Sequence, residues 1–111
     1  MAMFIRVDVD QASAHTSVTV VADGGRVTAN LPLFGRHFAS GAALAIAVAG
    51  TCGVPAAIAA ERLAAVVVPS GRATVLSAGG VRLIDDTYNA APSSMRAALA
   101  TLAATPARRF A

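Results

Sequence analysis

The sequence predicts a chain of mixed α+β / α/β class: a small antiparallel sheet plus two Ala-rich helices, then a β-hairpin and a helix opening an α/β domain. Three observations point there. The first thirty-odd residues hold three short runs of strand formers separated by polar turns. An alanine-dominated stretch punctuated by glycine and proline follows. Near position 80 an apolar run ends in Asp85-Asp86, a polar turn comes next, and Pro92 precedes more alanine. A length of 111 residues permits one domain or two incomplete ones.

Residues 3–9 read as a strand, with Phe4, Ile5, Val7 and Val9 interspersed with Arg6 and Asp8. Residues 11–16 connect it to a second strand at 17–21, and a third follows at 26–31. Asp23-Gly24-Gly25 between those two is a turn whose glycines take positive φ at little cost. A helix is expected over 38–49, with Leu44, Ala45 and Val48 as its buried stripe and Gly50 at its end. Pro55 suits the first turn of a second helix over 55–65, with Ile58 and Leu63 turned inward and Glu61 and Arg62 facing solvent. Pro69, Ser70 and Gly71 break the pattern and mark a linker. Strands at 73–76 and 81–84 around Gly79-Gly80 form a hairpin, and a last helix covers about 93–103. With Pro92 at the first helical position, Ala91 stands where a capping residue is preferred, leaving Ser93 or Ser94 to cap a later start. Residues 108–111 read as the beginning of another strand.

Composition excludes several function classes. Hydrophobic residues make up 56% of the chain but aromatic ones only 5%, and alanine contributes little burial per residue. The net charge of +3 comes from nine arginines and no lysine, so no phosphate loop of the Gly-x-x-x-x-Gly-Lys-Ser/Thr type exists in these residues. The arginines are scattered, which describes a solvated surface and not a nucleic-acid footprint. Cys52 is the one cysteine: it excludes an internal disulfide, fits a reducing cytoplasmic setting, and reads as a buried or half-buried thiol. Charges among residues 1–10 argue against a secretory signal there. Residues 38–60 carry no charge, yet Gly41, Gly50, Gly53 and Pro55 divide them into two ordinary helices instead of a membrane span.

The residues able to carry chemistry cluster at turns. Adjacent carboxylates in a strand point to opposite faces, so Asp85 and Asp86 do not form a paired acid and base on one atom. Asp86, nearer the turn, either meets a ligand hydroxyl or a metal-bound water, or accepts N–H bonds from the turn or the next helix. Tyr88 and Asn89 offer a flat ring, donors and an acceptor suited to a purine; equally, asparagine is a common turn residue and a lone tyrosine a packing one. His37 sits at a helix start, where a lone histidine is more often structural than catalytic. Arg72, in the linker, is the arginine best placed to hold a phosphate or carboxylate between two lobes. No catalytic or metal-ligating residue is assigned.

Together these stretches carry a resemblance. Residues 31–37 (Leu-Pro-Leu-Phe-Gly-Arg-His), an Ala-rich helix, Gly53-Val54-Pro55, Ser70-Gly71-Arg72 and Leu83-Ile84-Asp85-Asp86-Thr87-Tyr88-Asn89-Ala90 resemble the Mur ligases in order and spacing, over about residues 3–111. The Asp-Asp-Thr-Tyr-Asn-Ala segment with Pro92, Ser94 and Met95 is similar to the branch that adds D-alanyl-D-alanine to a UDP-muramoyl tripeptide in peptidoglycan synthesis.

The resemblance implies that residues 1–70 are the C-terminal part of a central ATP-binding domain and that residues 71–111 begin a C-terminal domain. Such ligases form an acyl phosphate from a carboxylate with ATP and Mg2+, and an amine then attacks it. By resemblance Arg72 lies near the phosphates, Asp86, Tyr88 and Asn89 form the turn that meets ribose and adenine, and His37 matches a motif position at the helix start. Two family asparagines are replaced by Phe38 and Gly41, and the family's Asn-Pro is Ala91-Pro92, which removes adenine contacts and a helix cap. The expectation is therefore a piece of an ATP-dependent amide ligase that is not competent alone and binds no nucleotide tightly. The alternative is a degenerate, non-catalytic Mur-ligase-like binding or assembly module. Exposed apolar surface and unpaired strand edges would favour self-association, as in a homodimer.

Overall fold

The computed structural model describes residues 3–22 and 25–111. Strands β1 (Met3–Asp10), β2 (His15–Ala22) and β3 (Gly25–Leu31) form one antiparallel sheet in sequence order. A single 3-10 turn (Arg36–Phe38) leads into α1 (Ala39–Thr51), and α2 (Ala56–Ala64) returns across the same sheet face. After an irregular linker, β4 (Thr74–Ala78) and β5 (Val81–Asp85) form an antiparallel hairpin, and α3 (Pro92–Ala104) follows. This is the mixed class the sequence predicts: two small antiparallel sheets and three helices. The turn expected at Asp23-Gly24-Gly25 lies, except for Gly25, outside the described residues.

Alternation sets the sheet's two faces. Thr16, Val18 and Val20 of β2 point inward, and the register pairs Thr16 with Leu31 and Val18 with Ala29. Ser17 and Thr19 point outward, where the Ser17 hydroxyl donates to Asn30 Oδ1 at 2.6 Å and Thr19 meets Thr28 at 3.0 Å. Such hydroxyl ladders stabilise the wet face of an antiparallel sheet. The inner face packs on Ala39, Ala42, Ala43 and Ile46 of α1 and on Ala59 and Ala60 of α2. These α1 positions are spaced i, i+3, i+4, i+7, a helix stripe made almost entirely of alanine.

That stripe corrects the expected one. Leu44 is 64% exposed and Val48 52%, and Ala45 is exposed as well. An uncharged helix offers no polar face to orient it, and side-chain size misleads because the buried stripe is mostly alanine, with Ile46 as its one large member. The same holds in α2, where Ala59 and Ala60 are buried while Ile58 is exposed and Leu63 packs half-buried on the core. Glu61 and Arg62 face solvent as expected. The residue that ends α1 in the left-handed region is Gly53, not Gly50: its φ is +82°, and Val54 N–H reaches back to Ala49 O at 2.9 Å. Cys52, expected to be at least half-buried, is exposed in that same turn.

The second half builds little core of its own. Gly79 and Gly80, both at positive φ, close the hairpin. Leu76, Val81 and Leu83 stay exposed, and α3 has no buried residue. α3 starts at Pro92 with Ala91 as its cap position and no side-chain cap; Ser94 instead donates to Ala91 O at 2.9 Å. The strand expected over 108–111 does not form. Arg109 turns back onto the carbonyl end of α3, donating to Thr105 O at 2.9 Å and Ala103 O at 3.3 Å, where a cation is favoured. Among the described residues no helix is long and apolar enough to cross a membrane.

The two candidate stripes are separable by urea unfolding. Ile46→Ala should cost about 2–5 kcal/mol, the range for deleting a buried aliphatic side chain. Leu44→Ala should stay within about 0.5 kcal/mol, as for an exposed position. Equal losses would restore the expected face.

Candidate functional site

One buried hydroxyl fixes the segment after β3. Thr16 is fully buried at the inward side of β2, and its Oγ1 donates to Leu33 O at 2.7 Å while accepting from Gly35 N at 3.1 Å. The Gly35 N–H would otherwise be a buried unpaired group and the Leu33 carbonyl a half-buried one, so the hydroxyl supplies what no strand does there. Gly35 has φ +146°, and a Cβ on it would come within 2.5 Å of His37 Cε1 and 2.9 Å of Thr101 Oγ1. The turn is thus open only to glycine, and through it α3 approaches the first sheet. Arg36 anchors the far side by donating to Val7 O at 3.0 Å.

His37 follows that turn. Its ring lies 4.1 Å from the Phe38 ring, tilted by 37°. Partial burial holds its basicity below the usual histidine value of 6.5, with the Asp86 charge pulling the opposite way. The ring lines a cavity of about 320 Å³ between Val7 and Gln11 on one side and Ala97 and Thr101 of α3 on the other.

The linker and the Asp85–Asn89 turn are tied together by backbone. Gly71 is buried with φ +78°, and its carbonyl accepts from Tyr88 N at 3.0 Å. A Cβ on Gly71 would stand 3.4 Å from both Thr87 Oγ1 and Tyr88 N. Ala73 is also left-handed, with φ +52°, an uncommon state for a side-chain-bearing residue. Its N–H donates to Asp86 Oδ1 at 3.2 Å. Asp85 serves the turn itself, its Oδ1 accepting from the Thr87 hydroxyl at 2.7 Å and from Thr87 N at 3.3 Å. Asn89 Oδ1 accepts from Ala90 N at 2.8 Å.

Arg72 sits between these bonds. Its guanidinium carbon lies 4.0 Å from the centroid of the Tyr88 ring, and both side chains border a cavity of about 330 Å³ walled by Leu33 and residues 66–69. Four of the five residues picked from the sequence, Arg72, Asp86, Tyr88 and Asn89, therefore gather at the linker and the turn bound to it. His37 lines the other cavity and is coupled to Asp86 through charge. Two positions escaped the sequence reading. Thr16 had a visible signal, a polar residue in phase with Val18 and Val20. Arg82 had none: it donates to Gln11 O, and to Ala12 O at 3.3 Å, joining β5 to the turn after β1.

The fold has counterparts among known proteins. A MurF crystal structure from Acinetobacter baumannii superposes with a TM-score of 0.81 and 28% identity, covering 91% of this chain and 22% of that one. A structure of the UDP-N-acetylmuramoylalanyl-D-glutamyl-2,6-diaminopimelate--D-alanyl-D-alanyl ligase from the same organism gives a TM-score of 0.76 at the same identity and coverage. The UDP-N-acetylmuramoyl-tripeptide--D-alanyl-D-alanine ligase of Rickettsia prowazekii (strain Madrid E) is 35% identical over 77 residues, 69% of this chain. No family model matches the chain. The chain belongs to the Mur ligase family. Within it the similarity is to MurF, of which the chain spans about a fifth: 17% of the Rickettsia ligase and 22% of the Acinetobacter one.

Two measurements probe this geometry. Thr16→Val keeps the shape but orphans a buried N–H and a carbonyl, and should cost about 1–3 kcal/mol in urea unfolding. For His37 the folded pKa lies below the unfolded one, so the unfolded state binds protons first on acidification. Stability should therefore fall as pH drops below 6.5, and His37→Gln should flatten that limb.

Proposed function

We propose that these residues form the junction between the ATP-binding central domain and the C-terminal domain of a MurF-like ligase. Residues 1–70 would close the first domain and residues 71–111 open the second. The reaction served would be cytoplasmic joining of D-alanyl-D-alanine to a UDP-muramoyl tripeptide through an acyl phosphate.

The observation that carries this is the state of Arg72. Arg6 pairs with Asp8, Arg36 and Arg82 bond to backbone carbonyls, and Arg109 caps α3. Arg72, like Arg26, Arg62, Arg96 and Arg108, spends no N–H donor on any described residue, but of these five it is the one that stands in the linker beside the Asp86 turn. Unspent guanidinium donors suit phosphate oxygens in planar, bidentate fashion.

The residues fit one end of ATP. Arg72 would hold phosphate, and Asp86, with Oδ2 unpartnered among the described residues, would accept from a ribose hydroxyl. Tyr88 and Asn89 would border the base. Phe38 and Gly41 offer no amide to a purine edge, and a chain without lysine offers no phosphate loop. Bound ATP and Mg2+ would supply phosphoryl transfer to the substrate carboxylate; this chain's part is to orient the sugar and phosphate from the linker side. Alone it would not ligate. The same replacements at 38, 41 and 91 favour a second reading, a non-catalytic module that keeps the fold for binding or assembly.

Grafting residues 3–111 into Acinetobacter MurF in place of the matching segment separates the two. A junction role predicts ATP-dependent ligation by the chimera, with Arg72→Ala lowering kcat/KM roughly ten- to hundredfold, the worth of a charged hydrogen-bond pair. A folded chimera without ligation supports the module. Full activity in the Arg72→Ala chimera overturns the arginine's role.

A further inference from the structure

Tyr88 is 68% exposed, yet its ring does not face only water. The Arg72 guanidinium covers it at 4.0 Å, well inside the range of a cation–π contact. Neither partner is free to drift at the backbone. Tyr88 N–H is bonded to Gly71 O at 3.0 Å, and Gly71 holds a φ of +78° that side-chain-bearing residues rarely adopt. The ring and the arginine are thus mounted on two strands of chain already bonded one residue away from the stack. The adjacent cavity of about 330 Å³ is walled by Leu33 and residues 66–69, apolar groups that strengthen the electrostatics of whatever meets the arginine there.

How an arginine is held decides what it can still do. A hydrogen-bonded guanidinium spends N–H donors on its anchor, as Arg36 does on Val7 and Arg82 on Gln11 and Ala12. A stacked guanidinium is held by its face, and the five N–H donors on its edge remain available. An exposed arginine without such support must be ordered by the ligand itself, at the cost of its side-chain entropy.

We propose that Tyr88 is a positioning residue: its ring pre-orients Arg72 by stacking, leaving the guanidinium edge free for a phosphoryl group at the linker. This rests on the phosphate role given to Arg72 above and adds, to the place of Tyr88 beside the base, the support of the residue that meets phosphate. The ring, not the hydroxyl, is the working part, so Tyr88→Phe preserves the function and Tyr88→Leu removes it.

The test uses this chain with inorganic tripolyphosphate as probe at low ionic strength, read at the Arg72 Nε–Hε signal by NMR. Without probe, Arg72 side-chain signals should show a ring-current shift in wild type and Tyr88→Phe that disappears in Tyr88→Leu. With probe, wild type and Tyr88→Phe should titrate alike, and Tyr88→Leu should bind roughly two- to fivefold more weakly, the worth of one exposed cation–π contact. Far-ultraviolet circular dichroism and backbone spectra establish that the variants stay folded. Wild-type affinity in Tyr88→Leu, with binding abolished by Arg72→Ala, overturns the positioning role and leaves the phosphate role of Arg72 standing. A wild-type titration that Arg72→Ala does not change overturns both.

Discussion

The arrangement of the second half depends on one short exchange between linker and turn. Gly71 offers its carbonyl to Tyr88, and Ala73 offers its N–H to Asp86. Two left-handed residues, Gly71 and Ala73, make this possible by turning the linker's polar groups toward the turn. The hairpin and α3 bury too little to fix their own position, since α3 has no buried side chain. What apolar packing does elsewhere is done here by two hydrogen bonds on either side of Arg72, helped by Arg82. The carboxylate of Asp86 is accordingly part of the scaffold as well as a proposed ligand group.

Strand existence and type were legible in the sequence because β-branched residues alternate with polar ones, a pattern that only a half-buried sheet explains. The hairpin was legible from Gly79-Gly80. The inward face of α1 was not, because a helix with no charged residue carries no contrast, and the deciding quantity is the gap between helix and sheet. That gap takes the methyls of Ala39, Ala42 and Ala43 together with Ile46, while Leu44 lies on the outward face. The terminal residues misled for a different reason: a β-like composition at 108–111 yields to the attraction between Arg109 and the carbonyls of α3.

The candidate site divides in the same way. Asp86, Tyr88 and Asn89 are neighbours in sequence, so their gathering is local and readable. That Arg72 joins them follows from the linker's path, which turns on Ala73 in a conformation no propensity would assign to alanine. Asp86 accepts an N–H, but from Ala73 of the linker and not from the turn or the following helix that its sequence position suggests. His37 and Asp86 lie far apart in the sequence and are related through charge, which spacing does not encode.

The alanine seam between α1, α2 and the sheet has an evolutionary consequence. A layer packed with methyl groups has no smaller side chain to retreat to except glycine, and any larger one forces the layers apart. Ala42, Ala43, Ala59 and Ala60 are therefore positions where drift is closed in both directions. Change can accumulate on the outward faces, at Leu44, Val48 and Ile58, where volume is unconstrained. In this segment, with the buried Ile46 as the exception, the bulkier aliphatic side chains of the helices would be more replaceable than the plain alanines.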